Sequence, residues 1–217
     1  MNSSLRKRAL CGWLKQNHAE DFCSALKLQK FLFFYEALAK IENDTSEFRS
    51  LKGYINGPVF SDVYGDYTYE KNDFVYEVEK AYTKYPQLVN EERAKFAGFL
   101  VSILNEDELS KLTHEFNIWK SKESEIKRGV RNVSLREEDL NEEDAELLRF
   151  LKNMYPSEYI DSVRVINISG KSFIINKNDI PKLTEDAKSV FISLANEESL
   201  ENPVYVTVTD DGVVLVD

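Results

Sequence analysis

Metal and thiol chemistry have little to draw on in this sequence, which contains two cysteines and two histidines in 217 residues. Cys11 and Cys23 are too few for a disulfide framework in a chain of this size. Their helical surroundings predict buried thiols in a reducing cytosol. His18 and His114 lie far apart, and neither an HxxxH nor a CxxC spacing occurs, so no metal centre is expected. The eight glycines form no GxGxxG or P-loop pattern, and Gly53 and Gly57 do not approach one. The longest uninterrupted apolar run, Phe31 to Tyr35, falls far short of the roughly 20 residues a membrane-spanning helix needs. Arg6, Lys7 and Arg8 are followed by no apolar stretch of signal-peptide length.

Basic residues are in deficit as well. Twenty-eight Lys and Arg against 38 Asp and Glu give a formal net charge of −10. Neutralising phosphates needs clustered cations, so direct nucleic-acid binding is not expected. The acidic balance fits a basic protein partner or plain solubility. No serine or cysteine stands in a spacing that recommends a neighbouring base, and a carboxylate spacing common to acidic helices marks no acid/base pair. The expectation is a cytoplasmic, non-enzymatic protein with no catalytic residue, no cofactor, no metal and no membrane partner.

What the chain does have is apolar and aromatic content, at 42% and 12%, enough for a sizeable core. Helical spacing dominates to about residue 155. A first helix starts after Ser3 or Ser4 and turns Leu5, Leu10, Trp13 and Leu14 inward, with Gly12 as a weak spot. Ser24 caps a second helix in which Leu28, Phe31, Leu32, Tyr35 and Leu38 share one face. Phe34 and Ile41 widen that face, as in a central helix covered on two sides. Phe48 to Ile55 reads as a brief strand. Gly57-Pro58 then reads as a helix start, continued by Val59, Val63 and Tyr64. In the tyrosine-rich stretch Tyr67 to Tyr85, the alternation of Phe74, Tyr76 and Val78 allows a strand. Asn90 and Asn105 are helix starts, the second with Glu108 in a capping-box spacing. Residues 131 to 150 carry three basic and seven acidic side chains and lead into a helix capped by Asn141 and stopped by Pro156.

Beyond Pro156 the periodicity changes. VRVINI, a Ser169-Gly170 turn and SFII read as a hairpin, followed by a helix bearing Ala187, Val190, Phe191, Leu194 and Ala195. VYVTVT and VVLV around Asp211-Gly212 form a second hairpin. The fold class is therefore α+β, with a mainly helical domain over 1–156 and a small ββαββ extension over 157–217. That extension is a separate domain or a sheet completing the first. No low-complexity linker separates the two, so a rigid junction is expected.

His114 in LTHEFNIWK points away from the Leu109, Leu112 and Phe116 line. It is a surface histidine, or a polar anchor beside Trp119 for a partner groove.

Taken in order, KLQKFLFFYEALA (from Lys27), YINGPVFSDVY (Tyr54 to Tyr64) and LTHEFNIWK (Leu112 to Lys120) resemble the Panacea antitoxin domain family, also called SocA-like or phage-associated proteins. The family shows a KLQKLLY-like helix, a GPVxxxVY phrase and a later LSH or LTH followed five residues on by Trp. SLREEDL (Ser134 to Leu140) resembles its acidic closing segment more loosely. The resemblance implies a protein-binding role on a mobile genetic element: neutralising a cognate toxin, encoded next door, by direct contact. A second implied role is that of an adaptor, handing its partner to a host AAA+ protease, or of a phage regulator of a host protein. The residues carried over as family-motif and partner-binding candidates are Lys27, Gln29, Lys30, Tyr54, Asn56, Gly57, Pro58, Tyr64, His114 and Trp119. Asn56 stands where the family commonly has an aromatic residue, and no helix-turn-helix is evident.

Overall fold

Ser4 opens the first helix: its hydroxyl accepts from the Lys7 backbone N–H at 3.1 Å, satisfying one of the donors that a helix start leaves unpaired. The computed structural model describes residues 1–216. With 58% helix and 14% strand it is an α+β fold. It contains two compact units, Met1–Val101 with Glu106–Met154, and Ser102–Asn105 with the chain from Tyr155 onward.

In the first unit, α1 (Leu5–Asn17) buries Leu10, Trp13 and Leu14. Leu5 stays exposed, one turn ahead of the buried stripe. Gly12 is no weak spot. A Cβ there would lie 2.7 Å from Tyr82 Cβ and would meet the Val78 carbonyl, so its small size is what lets two helices approach. After α2 (Ala19–Cys23), Ser24 caps α3 (Ala25–Ile41), accepting from the Lys27 N–H at 3.2 Å. Residues Leu28 to Ala39 of α3 are all buried, as suits a central helix packed on several sides. The two thiols part company. Cys11 is buried as expected and burial raises its pKa, whereas Cys23, the last residue of a short helix, is exposed.

Two expectations fail in the middle of the unit. Gly57-Pro58 does not start a helix: β1 (Leu51–Tyr54) and β2 (Gly57–Phe60) form an antiparallel hairpin, and the helix, α4 (Ser61–Tyr69), begins only after it. Asn-Gly is itself a hairpin-turn dipeptide, and Pro58 is tolerated because β2 lies at the edge of the sheet order β2-β1-β3. The Tyr67 to Tyr85 region is helical rather than extended. Phe74, Val78 and Ala81 line the buried side of α5 (Lys71–Lys84) at spacings of one and two turns, while Tyr76 is exposed. The alternation that mimicked a strand counted an outward-facing tyrosine.

Asn90 caps α6 (Glu91–Ile103) by accepting from the Arg93 N–H at 3.1 Å. Then come α7 (Glu106–His114), α8 (Asn117–Lys120), α9 (Glu123–Lys127) and β3 (Val133–Ser134), which pairs with β1. The last helix of the unit, α10 (Glu142–Met154), is capped by Asn141, whose Oδ1 accepts from the Asp144 N–H at 3.0 Å.

In the second unit, α11 (Ser157–Ser162) leads into the expected hairpin of β4 (Val163–Ile168) and β5 (Lys171–Asn176). Next, α12 (Ala187–Ala195) crosses to β6 (Val204–Val208), which runs parallel to β5, and β7 (Val214–Val216) closes the order β4-β5-β6-β7. This four-stranded sheet is separate from the three-stranded one. Phe173, Ile175, Phe191, Val204 and Val206 form its core, and Val190 is exposed on the outer side of α12.

Candidate functional site

Two neighbouring side chains on α3 hold the two ends of β2. Gln29 Oε1 accepts from the Phe60 backbone N–H at 2.7 Å. The Lys30 ammonium donates to the Asn56 carbonyl. Between them Gly57 has φ +103°, and a Cβ there would collide with Lys30 Nζ and Thr113 Oγ1. Glycine is required at this position both for the positive φ and for the space.

The third phrase closes around the same hairpin tip. The His114 and Trp119 rings stack with centroids 3.8 Å apart and planes 19° from parallel. The indole N–H donates to the Tyr54 carbonyl at 3.0 Å. Trp119 is held in turn from α10: the Asp144 carboxylate accepts from the backbone N–H groups of Asn117 at 2.5 Å and Ile118 at 3.2 Å. Phe116 anchors the turn from below, edge-on to Phe33 at 5.4 Å.

The electrostatics are unusual at one atom. Lys30 is 1% exposed, and among the described residues its ammonium meets a carbonyl but no carboxylate. Burial in a site without a counter-ion disfavours the charged form, and its pKa is pushed down to about 7. His114 also lies below its ordinary value, through burial first and then the Lys30 charge, against a backbone hydrogen bond at Ile55 and the pull of Glu123. Its Nε2 is buried without a hydrogen-bond partner among the described residues. Burial raises the Asp144 pKa, and the backbone donors at Asn117, Ile118 and Asn141 oppose that rise.

Beside the tip an apolar groove of about 400 Å³ opens between the start of α3 and the hairpin, with Ala25, Leu26 and Pro58 in its wall and Lys30 in its lining. Tyr54, Ile55 and Tyr64 form an exposed rim. A cation recessed beside apolar walls can select a group that presents negative charge next to hydrocarbon.

Of the residues singled out from the sequence, Gln29, Lys30, Tyr54, Asn56, Gly57, Pro58, His114 and Trp119 come together here, and Tyr64 reaches the groove from α4. Lys27 does not: it pairs with Asp21 at 2.8 Å. Thr113, Asp144 and Ile55 also belong here, though none is among the residues singled out from the sequence. Asp144 had a usable signal, standing three residues after Asn141 in a capping-box spacing.

No group of three or more His, Cys, Asp and Glu able to hold a metal ion occurs among the described residues. No described helix is long and apolar enough to cross a membrane. Comparison with protein-family models, curated proteins and solved structures finds no match to the chain.

Proposed function

We propose that this chain is an antitoxin-type binding protein of the Panacea kind, which neutralises a toxin in the cytoplasm by holding it in direct contact. One observation carries the reading. Three phrases far apart in sequence meet at the β1–β2 hairpin tip, and that tip presents an open groove with an exposed aromatic and aliphatic rim. Amphipathic rings such as Tyr54 and Tyr64 suit protein recognition, because each supplies large contact area at little conformational cost. The framework beneath is rigid: side chains from α3, α8 and α10 fix both strands of the hairpin and the turn beside it. An overall charge of −10 favours encounter with a basic partner.

The test is co-expression with the adjacent reading frame. That frame alone is expected to arrest growth, and this chain to restore it and to co-purify with its product. Ile55→Asp combined with Tyr64→Asp places charge on the rim and is expected to abolish rescue while circular dichroism stays unchanged. No toxicity from the neighbour, or rescue undiminished by the rim variant, overturns the proposal. Rescue that requires a host AAA+ protease, with loss of the toxin from the cell, would assign the adaptor role instead.

A further inference from the structure

We propose that the groove beside the hairpin tip takes a carboxylate carried next to an apolar group on the partner protein, with the Lys30 ammonium as its counter-ion. This rests on the binding-protein reading for the partner's being a protein; the carboxylate itself is argued from the groove.

Lys30 is nearly fully buried, yet among the described residues it donates to a single carbonyl, that of Asn56. An ammonium has three donors and no acceptor, and a buried charge is costly unless it is paired. The contrast inside the same unit is sharp. Buried Lys7 pairs with Asp62 at 3.2 Å, and buried Arg93 pairs with Glu42 at 2.7 Å. Only at the groove is a buried cation left without a carboxylate among the described residues, and it is there that apolar walls stand open to an incoming group. A chain carrying −10 overall repels acids in general, so any selectivity for one has to be local.

The other groups facing Lys30 do not supply the missing charge. The groove adds the Tyr54 and Tyr64 phenols, α7 contributes His114, and Glu123 and Lys127 of α9 act on that histidine. His114, held toward its neutral form, adds no competing cation at neutral pH.

The proposal has a signature in pH. Free Lys30 titrates near 7, and a bound carboxylate favours the charged form, so the complex takes up a proton as it forms. Affinity for the acid therefore falls as pH rises, by about a hundredfold between pH 6 and 9 if the complex keeps its proton throughout. Apolar contact alone shows no such slope.

The probes are N-acetylphenylalanine, its primary amide, and N-acetylglutamyl-phenylalanine amide, each titrated into the full-length ¹⁵N-labelled chain and followed by NMR at Ile55, Asn56 and Gly57. The first acid is expected to bind at least tenfold more tightly than its amide, with the pH slope above, and Lys30→Met to remove both preference and slope. Preference for N-acetylphenylalanine assigns a chain terminus as the carboxylate source, whereas preference for the glutamyl peptide assigns a side chain. Binding of neither acid more tightly than the amide, or no shift at the tip with any acid, overturns the proposal, as does a flat pH series on the wild type, which does not depend on a variant's folding. Growth rescue separates the two levels. Rescue by wild type and Lys30→Met alike leaves the binding-protein reading standing and removes this one. Failure of wild type to rescue removes the former and leaves the groove's acid preference measurable.

Discussion

The β1–β2 hairpin is flanked by two buried lysines that have been treated in opposite ways. At its Phe60 end, Lys7 is 2% exposed, donates to Ser50 Oγ at 2.9 Å, pairs with Asp62 at 3.2 Å and lies 4.2 Å from the centre of the Phe60 ring. At its Asn56 end, Lys30 is equally buried and has one carbonyl. Helices α1 and α3 thus grip the same small sheet, but among the described residues only the Lys7 end is compensated by an opposite charge. Burying a cation is a cost that folding by itself does not recover at the Lys30 end.

The comparison is tested most strongly by removing each charge. Lys7→Met leaves Asp62 without its cation and is expected to destabilise the fold by about 2–4 kcal/mol. Lys30→Met removes an unpaired charge of similar length and is expected to stabilise by about 1–2 kcal/mol. Urea denaturation of both variants at pH 7 reads the difference. Two losses of similar size would mean that Lys30 is as well compensated as Lys7.

Next in size is Gly57. Alanine there combines a strained φ with a collision against Lys30 Nζ and Thr113 Oγ1, an expected loss of about 2–3 kcal/mol. Alanine at Gly65, where a Cβ would meet nothing within 4 Å, is expected to leave the midpoint nearly unchanged. Equal effects at the two glycines would deny the close approach that seats the Lys30 ammonium.

The third test is in pH. Lys30 has a folded pKa of about 7 against an ordinary 10.5. Between these values the unfolded chain holds the extra proton, so stability rises with pH through that window and gains nothing from this group below it. The slope is at most about 1.4 kcal/mol per pH unit. Other groups titrate in the same range, so the quantity to measure is the difference between wild type and Lys30→Met from pH 7 to 10. A flat difference would place the Lys30 ammonium in contact with a carboxylate or with solvent.

How legible all this was in the sequence depended on the range of the interaction. Caps at Ser4, Ser24, Asn90 and Asn141 are local chemistry and were readable, as were both hairpins after Pro156. Gly57-Pro58 misled because a helix start and an edge-strand proline share one local pattern. Which is realised depends on β1, and on Gln29 and Lys30, 26 and more residues away. Tyr76 misled because alternation counts side chains without knowing which are covered. The phrases holding Gln29, Lys30, Asn56 and Trp119 could be picked out one by one. That they close on one hairpin tip, with Thr113 and Asp144 supporting them, is a tertiary fact that no spacing encodes.

Trp119 gives the smallest and finest test, because it holds the Lys30 end through a bond of its own, to the Tyr54 carbonyl. Phenylalanine there keeps a ring against His114 but removes the donor to the Tyr54 carbonyl, an expected cost of about 1 kcal/mol. Losing that tie should loosen the tip, admit water to the Lys30 ammonium and return its pKa part of the way toward 10.5. Two readouts are then expected to move together: amide exchange should quicken at Ile55 and Asn56, and the pH dependence of stability attributable to Lys30 should shrink. The Lys7 end, fixed by Asp62 and Ser50, should keep its exchange rates. If both ends loosen alike, the hairpin answers as one rigid piece and the asymmetry between its lysines is electrostatic alone. If only the Asn56 end moves, α8 sets how deeply the groove's cation is buried, and with it how strongly the site rewards a partner that brings a negative charge.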